Sequence, residues 1–172
     1  SGQPVPAILE ANYAPDPSLP EGKAILSAME RYGVRDCTVI ERGGAKIGIF
    51  GLMGADSHDC APTSGFLLSD AVEAAKRCVG ILKDEGADFI VCLSHSGTSD
   101  DADYDEDTAL AKAVDGIDLI ISGHTHSKYE APPLVGGTYI ASSGPYCQNL
   151  GSVTLTRAAD GTLTLEDYHL VP

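Results

Sequence analysis

The sequence predicts an α/β domain whose sheet is parallel at its centre and antiparallel at its margins. A capped amphipathic helix ending at Gly86 runs directly into the apolar run Phe89–Leu93, which makes that helix a crossover into a parallel strand. The same strand construction recurs before His124. Two β-hairpin signals, one ahead of these units and one behind them, supply the antiparallel margins.

In chain order, Val5–Leu9 alternates loosely and predicts a short strand, and Tyr13–Pro20, with three prolines, predicts a loop. Ala24, Ile25, Ala28 and Met29 recur at helical spacing over Glu21–Tyr32, and Gly33 suits the helix end. Cys37–Ile40 and Lys46–Phe50 are β-rich runs joined by Arg42-Gly43-Gly44-Ala45, where the glycines can supply positive φ. Asp56–Leu68 is polar, contains glycine and proline, and predicts a loop. Asp70 and Glu73 form a capping-box pattern ahead of a helix with Val72, Ala75, Val79 and Leu82 on one face. The acidic stretch Asp100–Asp107 fails the EF-hand template, because Glu106 and Lys112 stand where the turn glycine and the bidentate glutamate belong. Its carboxylates are therefore expected to be solvated partners of the helix Leu110–Val114. After a loop with Pro132 and Pro133, Thr138–Ala141 predicts a strand. Gly151–Arg157 and Thr162–Tyr168 flank Asp160-Gly161 as a terminal hairpin.

The stretch Ile120-Ile121-Ser122-Gly123-His124-Thr125-His126 organises the chemistry. The apolar strand breaks at Ser122-Gly123, and two histidines follow at i and i+2, which extended backbone would turn to one side. Gly86-Ala87-Asp88-Phe89-Ile90-Val91-Cys92-Leu93-Ser94-His95 has the same order of glycine, aspartate, apolar run, polar break and histidine as Gly116–His124. If both runs lie in one parallel sheet, His95, His124 and His126 meet at the carboxyl edge, where open α/β sheets bind ligands. Three imidazoles there suit Zn²⁺, Mn²⁺ or Fe, whereas a single histidine would more simply cap a strand. Asp56 and His58 follow a strand that shares this edge; either can line the site, with a surface loop the simpler expectation for both, and His169, in the terminal hairpin, reads as structural. Tyr146 and Asn149 lie after a strand without a motif of their own, and Ser94 and Ser96 lack a Gly-x-Ser-x-Gly elbow.

The chain has 172 residues, 43% of them hydrophobic, which is enough for one domain with a core. Its formal charge of −14, from 25 acids and 11 bases, argues against binding nucleic-acid polymers or anionic membranes. A phosphate-bearing substrate would also be repelled unless bound cations reversed the local sign. No apolar run approaches the roughly 20 residues of a membrane span. The five cysteines form no C-x-x-C pair, and Cys78 and Cys92 sit in apolar settings, so free thiols are expected, which leans toward a cytoplasmic location.

Leu93-Ser94-His95-Ser96-Gly97 followed by Ser122-Gly123-His124-Thr125-His126 resembles the last two metal motifs of the calcineurin-like metallophosphoesterases, closest to their 5′-nucleotidase and 2′,3′-cyclic phosphodiesterase branch. Lys46–Leu52, the Gly116–Ile121 lead-in and the Gly144–Gly151 turn support the likeness, which runs from about Ala7 to the end. The resemblance implies a partial αββα sandwich and two divalent metal ions, with His95 and His124 on one and His126 on the other. It also implies metal-dependent hydrolysis of phosphate esters, with nucleotides as the expected small-molecule substrates. The family's earlier motifs, Asp-x-His, Gly-Asp and Gly-Asn-His, do not occur ahead of Lys46–Leu52, and Asn12 does not match its asparagine ligand. Residues 1–172 are therefore expected to be the second half of a catalytic domain, starting near where the chain leaves the last of those motifs. The nucleoside-binding domain would lie beyond Pro172. By itself such a half would have no catalytic residue assignable with confidence and little or no activity. It would leave an apolar sheet face for a companion N-terminal segment or a second copy. The family likeness points to a periplasmic, cell-surface or secreted location. The alternative is a non-catalytic α/β module that binds a metal or another ligand.

Overall fold

The computed structural model describes residues 5–172. A six-stranded sheet carries the fold. Its strands are β2 (Cys37–Arg42), β3 (Ala45–Met53), β5 (Phe89–His95), β6 (Leu119–Ser122), β8 (Thr138–Ala141) and β7 (Leu134–Val135), in that spatial order. The pairs β3–β5, β5–β6 and β6–β8 are parallel, and the edge pairs β2–β3 and β7–β8 are antiparallel. The predicted mixed sheet is thus observed, with the Gly43-Gly44 turn at φ 59° and 85° closing the first hairpin.

Rows of side chains across the sheet separate its two faces. Phe50, Cys92, Ile120 and Ile140 stand opposite one another from β3 to β8, and all are fully buried. Helix α3 (Ala71–Asp84) covers this face with Ala75, Cys78, Val79 and Leu82, and helix α4 (Glu106–Ala113) adds Leu110 and Ala111. The N-cap of α3 is as predicted: the Glu73 N–H donates to Asp70 Oδ1 at 2.8 Å. The next row, Gly51, Leu93, Ile121 and Ala141, lies on the opposite face, where Leu93 is 43% and Ile121 47% exposed. A parallel sheet normally has both faces covered. Here the second face is left open at its centre as a cleft of about 360 Å³, bounded by Leu9, Glu10, Gly51, Leu93, His95 and Ile121.

Helix α1 (Gly22–Tyr32) ends at Gly33 as expected, and the terminal hairpin is β9 (Leu150–Arg157) with β10 (Leu163–Val171), a two-stranded sheet of its own with a bulge between Leu165 and Asp167. Other local expectations differ. Val5–Leu9 forms only an isolated bridge, from Leu9 to Arg35. Within the predicted loops lie β1 (Tyr13–Pro15), which pairs with β4 (Phe66–Leu68), and the short helix α2 (Ala55–Asp59). A three-residue strand exists only through a partner some fifty residues away, which no local pattern encodes. Asn12 locks this region: its amide donates to the carbonyls of Met53 and Ser69 and accepts the Met53 N–H. All five cysteines are free, with Cys78 and Cys92 buried as expected. No helix among the described residues is long and apolar enough to cross a membrane.

Glu10 faces the open cleft, and among the described residues its Oε1 is buried without a hydrogen-bond partner. Burial pushes its carboxyl from the ordinary 4.5 up to about 7. The folded state therefore retains a proton that the unfolded chain releases between these values. The stability this group allows is complete below about pH 4.5 and is lost as pH rises through about 7. Glu10→Gln is expected to stabilise the chain at pH 8 by ~1–3 kcal/mol and to change nothing at pH 4, as read by urea denaturation at both values.

Candidate metal centre

The carboxyl ends of β5 and β6 bring the predicted histidines to one place. Ser94 stands opposite Ser122 in the parallel ladder, and the Gly123 N–H donates to the Ser94 carbonyl at 2.9 Å just beyond it. The rings of His95 and His124 follow with centroids 5.1 Å apart. His126 lies further out against Tyr146, with centroids 5.0 Å apart, and Tyr146 is itself 81% exposed. Burial, and then the neighbouring His124 and His126 rings, lower the His95 pKa, which keeps its imidazole neutral with a free lone pair. Neutral imidazoles at a strand edge are a donor set for a divalent transition metal.

The backbone reaches this arrangement differently from the extended path expected. His124 and His126 have φ of 74° and 60°, in the left-handed region. Such residues cost about 1 kcal/mol or more each and persist where their surroundings fix them. The fixing contacts are visible. The Thr98 N–H donates to Thr125 Oγ1 at 3.1 Å, Ser127 Oγ donates to the Thr98 carbonyl at 3.0 Å, and the Tyr129 hydroxyl donates to Thr98 Oγ1 at 2.9 Å. Gly97, at φ 98°, has no room for a Cβ, which would lie 2.3 Å from Thr125 Cγ2. The 97–98 and 125–127 segments thus interlock, and two histidines are held on a strained turn.

Two adjacent acids brace both histidine loops. Asp107, in the first turn of α4, is fully buried; it accepts from Ser94 Oγ at 2.6 Å and from the Gly97 N–H at 3.2 Å. Burial raises its pKa against the pull of these donors. Glu106 accepts the N–H groups of Ala55 and Asp56 at 2.9 and 3.1 Å, capping α2 from outside. Helix α2 in turn grips β5: Ser57 Oγ and the Gly54 N–H both donate to the His95 carbonyl. Its Asp56 Oδ2 lies 2.6 Å from His124 Nε2. The expectation that this acidic stretch is solvated holds for Asp100, Asp101 and Asp103 and fails for the last two acids. The signal that would have found them is position: they alone sit in the first turn of the helix that packs behind the histidine strands.

Of the two readings for Asp56, surface loop or site lining, the second holds for its contact with His124 at this edge. His58 turns away, stacking edge-on against Tyr13. His169 pairs with Asp167 on the hairpin, away from the site, and Asn149 donates to the Ser143 carbonyl. Ser94 and Ser96 are buried hydrogen-bonding groups. Among the described residues, the group of three whose ligand atoms lie within 4.8 Å of one another is Asp56, Cys60 and His124, not the three histidines.

A mixed sheet with three parallel pairs and paired histidine loops at its carboxyl edge makes this an α/β protein with a candidate metal site. The family model for calcineurin-like phosphoesterases matches residues 38–128. The chain belongs to that family. It is 31% identical over 143 residues to the trifunctional nucleotide phosphoesterase protein YfkN of Bacillus subtilis, covering 80% of this chain and 9% of the relative. It is 41% identical over 91 residues to an apyrase of Aedes aegypti, covering 52% of this chain and 15% of the apyrase. Among solved structures, a 5′-nucleotidase precursor from Thermus thermophilus superposes with a TM-score of 0.73 at 23% identity, over 96% of this chain and 33% of that one. This last likeness is one of fold. The chain spans a small part of the length of each relative.

Asp107→Ala leaves the Ser94 hydroxyl and the Gly97 N–H without their acceptor, and should cost about 2–4 kcal/mol by chemical denaturation. Asp100→Ala, in the same acidic stretch but exposed, should stay within ~0.5 kcal/mol of wild type in the same measurement.

Proposed function

We propose that this chain supplies the His95, His124 and His126 share of a two-metal centre, and that the whole protein hydrolyses phosphate esters, with 5′-nucleotides or 2′,3′-cyclic nucleotides as substrates. The observation that carries the reading is the locking of the two histidine loops to each other, by the Gly123 N–H on the Ser94 carbonyl, at the edges of adjacent parallel strands. In this reading His95 and His124 hold one divalent ion and His126 a second, with Zn, Mn and Fe as candidates. When bound, such ions would lower the pKa of water and neutralise charge building on the phosphoryl oxygens. The protein's own work is to hold the donors still. The Asp56 carboxylate on His124 Nε2 keeps that nitrogen protonated and leaves Nδ1 as the ring's lone-pair donor. Asp107 holds the turn that carries His95, and Glu106 holds the helix that carries Asp56. With a formal charge of −14, the chain needs cations at this edge for a phosphate to approach.

We infer further that this chain forms the second half of the catalytic domain. The open face around Leu93 and Ile121 supports this, since it asks for a covering layer that a companion N-terminal segment, or less simply a second copy, would provide. The expectation about Ser1 itself lies outside the described residues. Family membership favours an exported location.

The test is hydrolysis of AMP and 2′,3′-cyclic AMP by the full-length protein with Mn²⁺ or Zn²⁺. Activity should be abolished by a chelator and lowered at least ~100-fold in kcat/KM by His124→Ala. Residues 1–172 alone should turn over neither substrate; turnover by this piece would end the half-domain reading. A full-length protein that binds these ions and hydrolyses nothing would instead be a non-catalytic metal-binding module.

A further inference from the structure

Helix α2 is followed by a thiol, Cys60, that the phosphoesterase reading does not use. Asp56 and Cys60 are spaced i, i+4, and the Cys60 N–H donates to the Asp56 carbonyl at 3.0 Å, so one helical turn places both on one face. That face meets His124. The carboxylate oxygen, the thiol sulfur and the imidazole nitrogen lie within 4.8 Å of one another, with Asp56 Oδ2 and His124 Nε2 2.6 Å apart. The ring is mostly buried while Asp56 is partly exposed and Cys60 exposed, which leaves the cluster open to an ion from solvent.

We propose that Asp56, Cys60 and His124 form a thiolate-containing site for a borderline transition-metal ion, of the Zn²⁺ or Co²⁺ type. The donor set selects against Mg²⁺ and Ca²⁺, which take oxygen ligands, and favours ions that accept sulfur and nitrogen. Three protein ligands with solvent in the remaining position is the arrangement of an open tetrahedral site. The ion takes the place of the proton held between Nε2 and the carboxylate, and the Cys60 thiol gives up its proton on binding. Ion binding and the Asp56–His124 hydrogen bond are therefore alternatives at one nitrogen. The second metal mode shares His124 with the phosphoesterase site, but it rests on α2 and the ring, not on the family's activity.

Cobalt titration of the metal-free full chain, followed by absorption, tests the site without any assay of hydrolysis. Wild type should develop a near-ultraviolet thiolate-to-cobalt charge-transfer band. Cys60→Ser should lose the band, and Asp56→Asn should weaken the affinity read from it by about tenfold or more. His95→Ala and His126→Ala should keep it, as should Cys147→Ser, which removes the other exposed thiol. Circular dichroism of each variant establishes that it is folded; Cys60 is exposed and the serine isosteric, so that variant is the decisive one. No band in wild type at saturating Co²⁺, or a band that survives Cys60→Ser, overturns the proposal. Loss of nucleotide hydrolysis in His95→Ala with the band intact separates this site from the phosphoesterase centre.

Discussion

The parallel register that sets Ser94 opposite Ser122 governs the rest of the site. Parallel strands end on the same side, so two chains that leave the sheet after opposed residues leave it as neighbours. The hydrogen bond from the Gly123 N–H to the Ser94 carbonyl extends the ladder one step past its last side-chain pair and commits both loops to the same path. A shift of one residue would turn His95 and the Leu93–Ile121 row to the helix-covered face. The fully buried row Phe50, Cys92, Ile120 and Ile140 excludes that shift, because its side chains would then face solvent. Core packing on one face thus determines where the imidazoles stand at the edge.

What the register brings close, the acids behind it make stiff. Glu106 and Asp107 are consecutive, yet they serve different partners. One caps the helix that carries Asp56, and the other holds the turn that carries His95. An acid as buried as Asp107 is costly unless its oxygens are occupied, and the Ser94 hydroxyl and the Gly97 N–H occupy them. Left-handed backbone at His124 and His126 is a second cost, offset by the interlocked Thr98, Thr125 and Ser127. Strain and buried charge are gathered at the edge where the histidines meet, which is where a functional site would hold its donors fixed before any ligand arrives.

The sheet is asymmetric in a way that bears on assembly. Helices α3 and α4 seal one face, while the other keeps Leu93 and Ile121 exposed beside a carboxyl whose affinity for protons is raised by burial. An uncovered apolar row is a standing cost to a parallel sheet, and the cleft leads directly to His95. In the proposed half-domain reading, the segment that covers that row would also reach the histidines.

Much of the fold was legible in local pattern. The Gly43-Gly44 turn, the Asp70 cap, the periodic faces of the helices and the two apolar runs each state their own conformation within a few residues, and the repeated Gly-x-Asp-apolar-His order announced that His95 and His124 would share an edge. The β1–β4 pair, helix α2, the hydrogen bonds of Glu106 and the burial of Asp107 were not legible, because each depends on partners outside its own segment. Asp56 reads as an ordinary loop acid until the fold sets it against His124, 68 residues away. By itself the sequence determined most of the central strands and the longer helices and which donors they end in, since backbone preference and hydrophobic period act locally. The tertiary structure alone decided which acids are solvated and which hold the site, since burial and hydrogen-bond partners are set by what packs alongside.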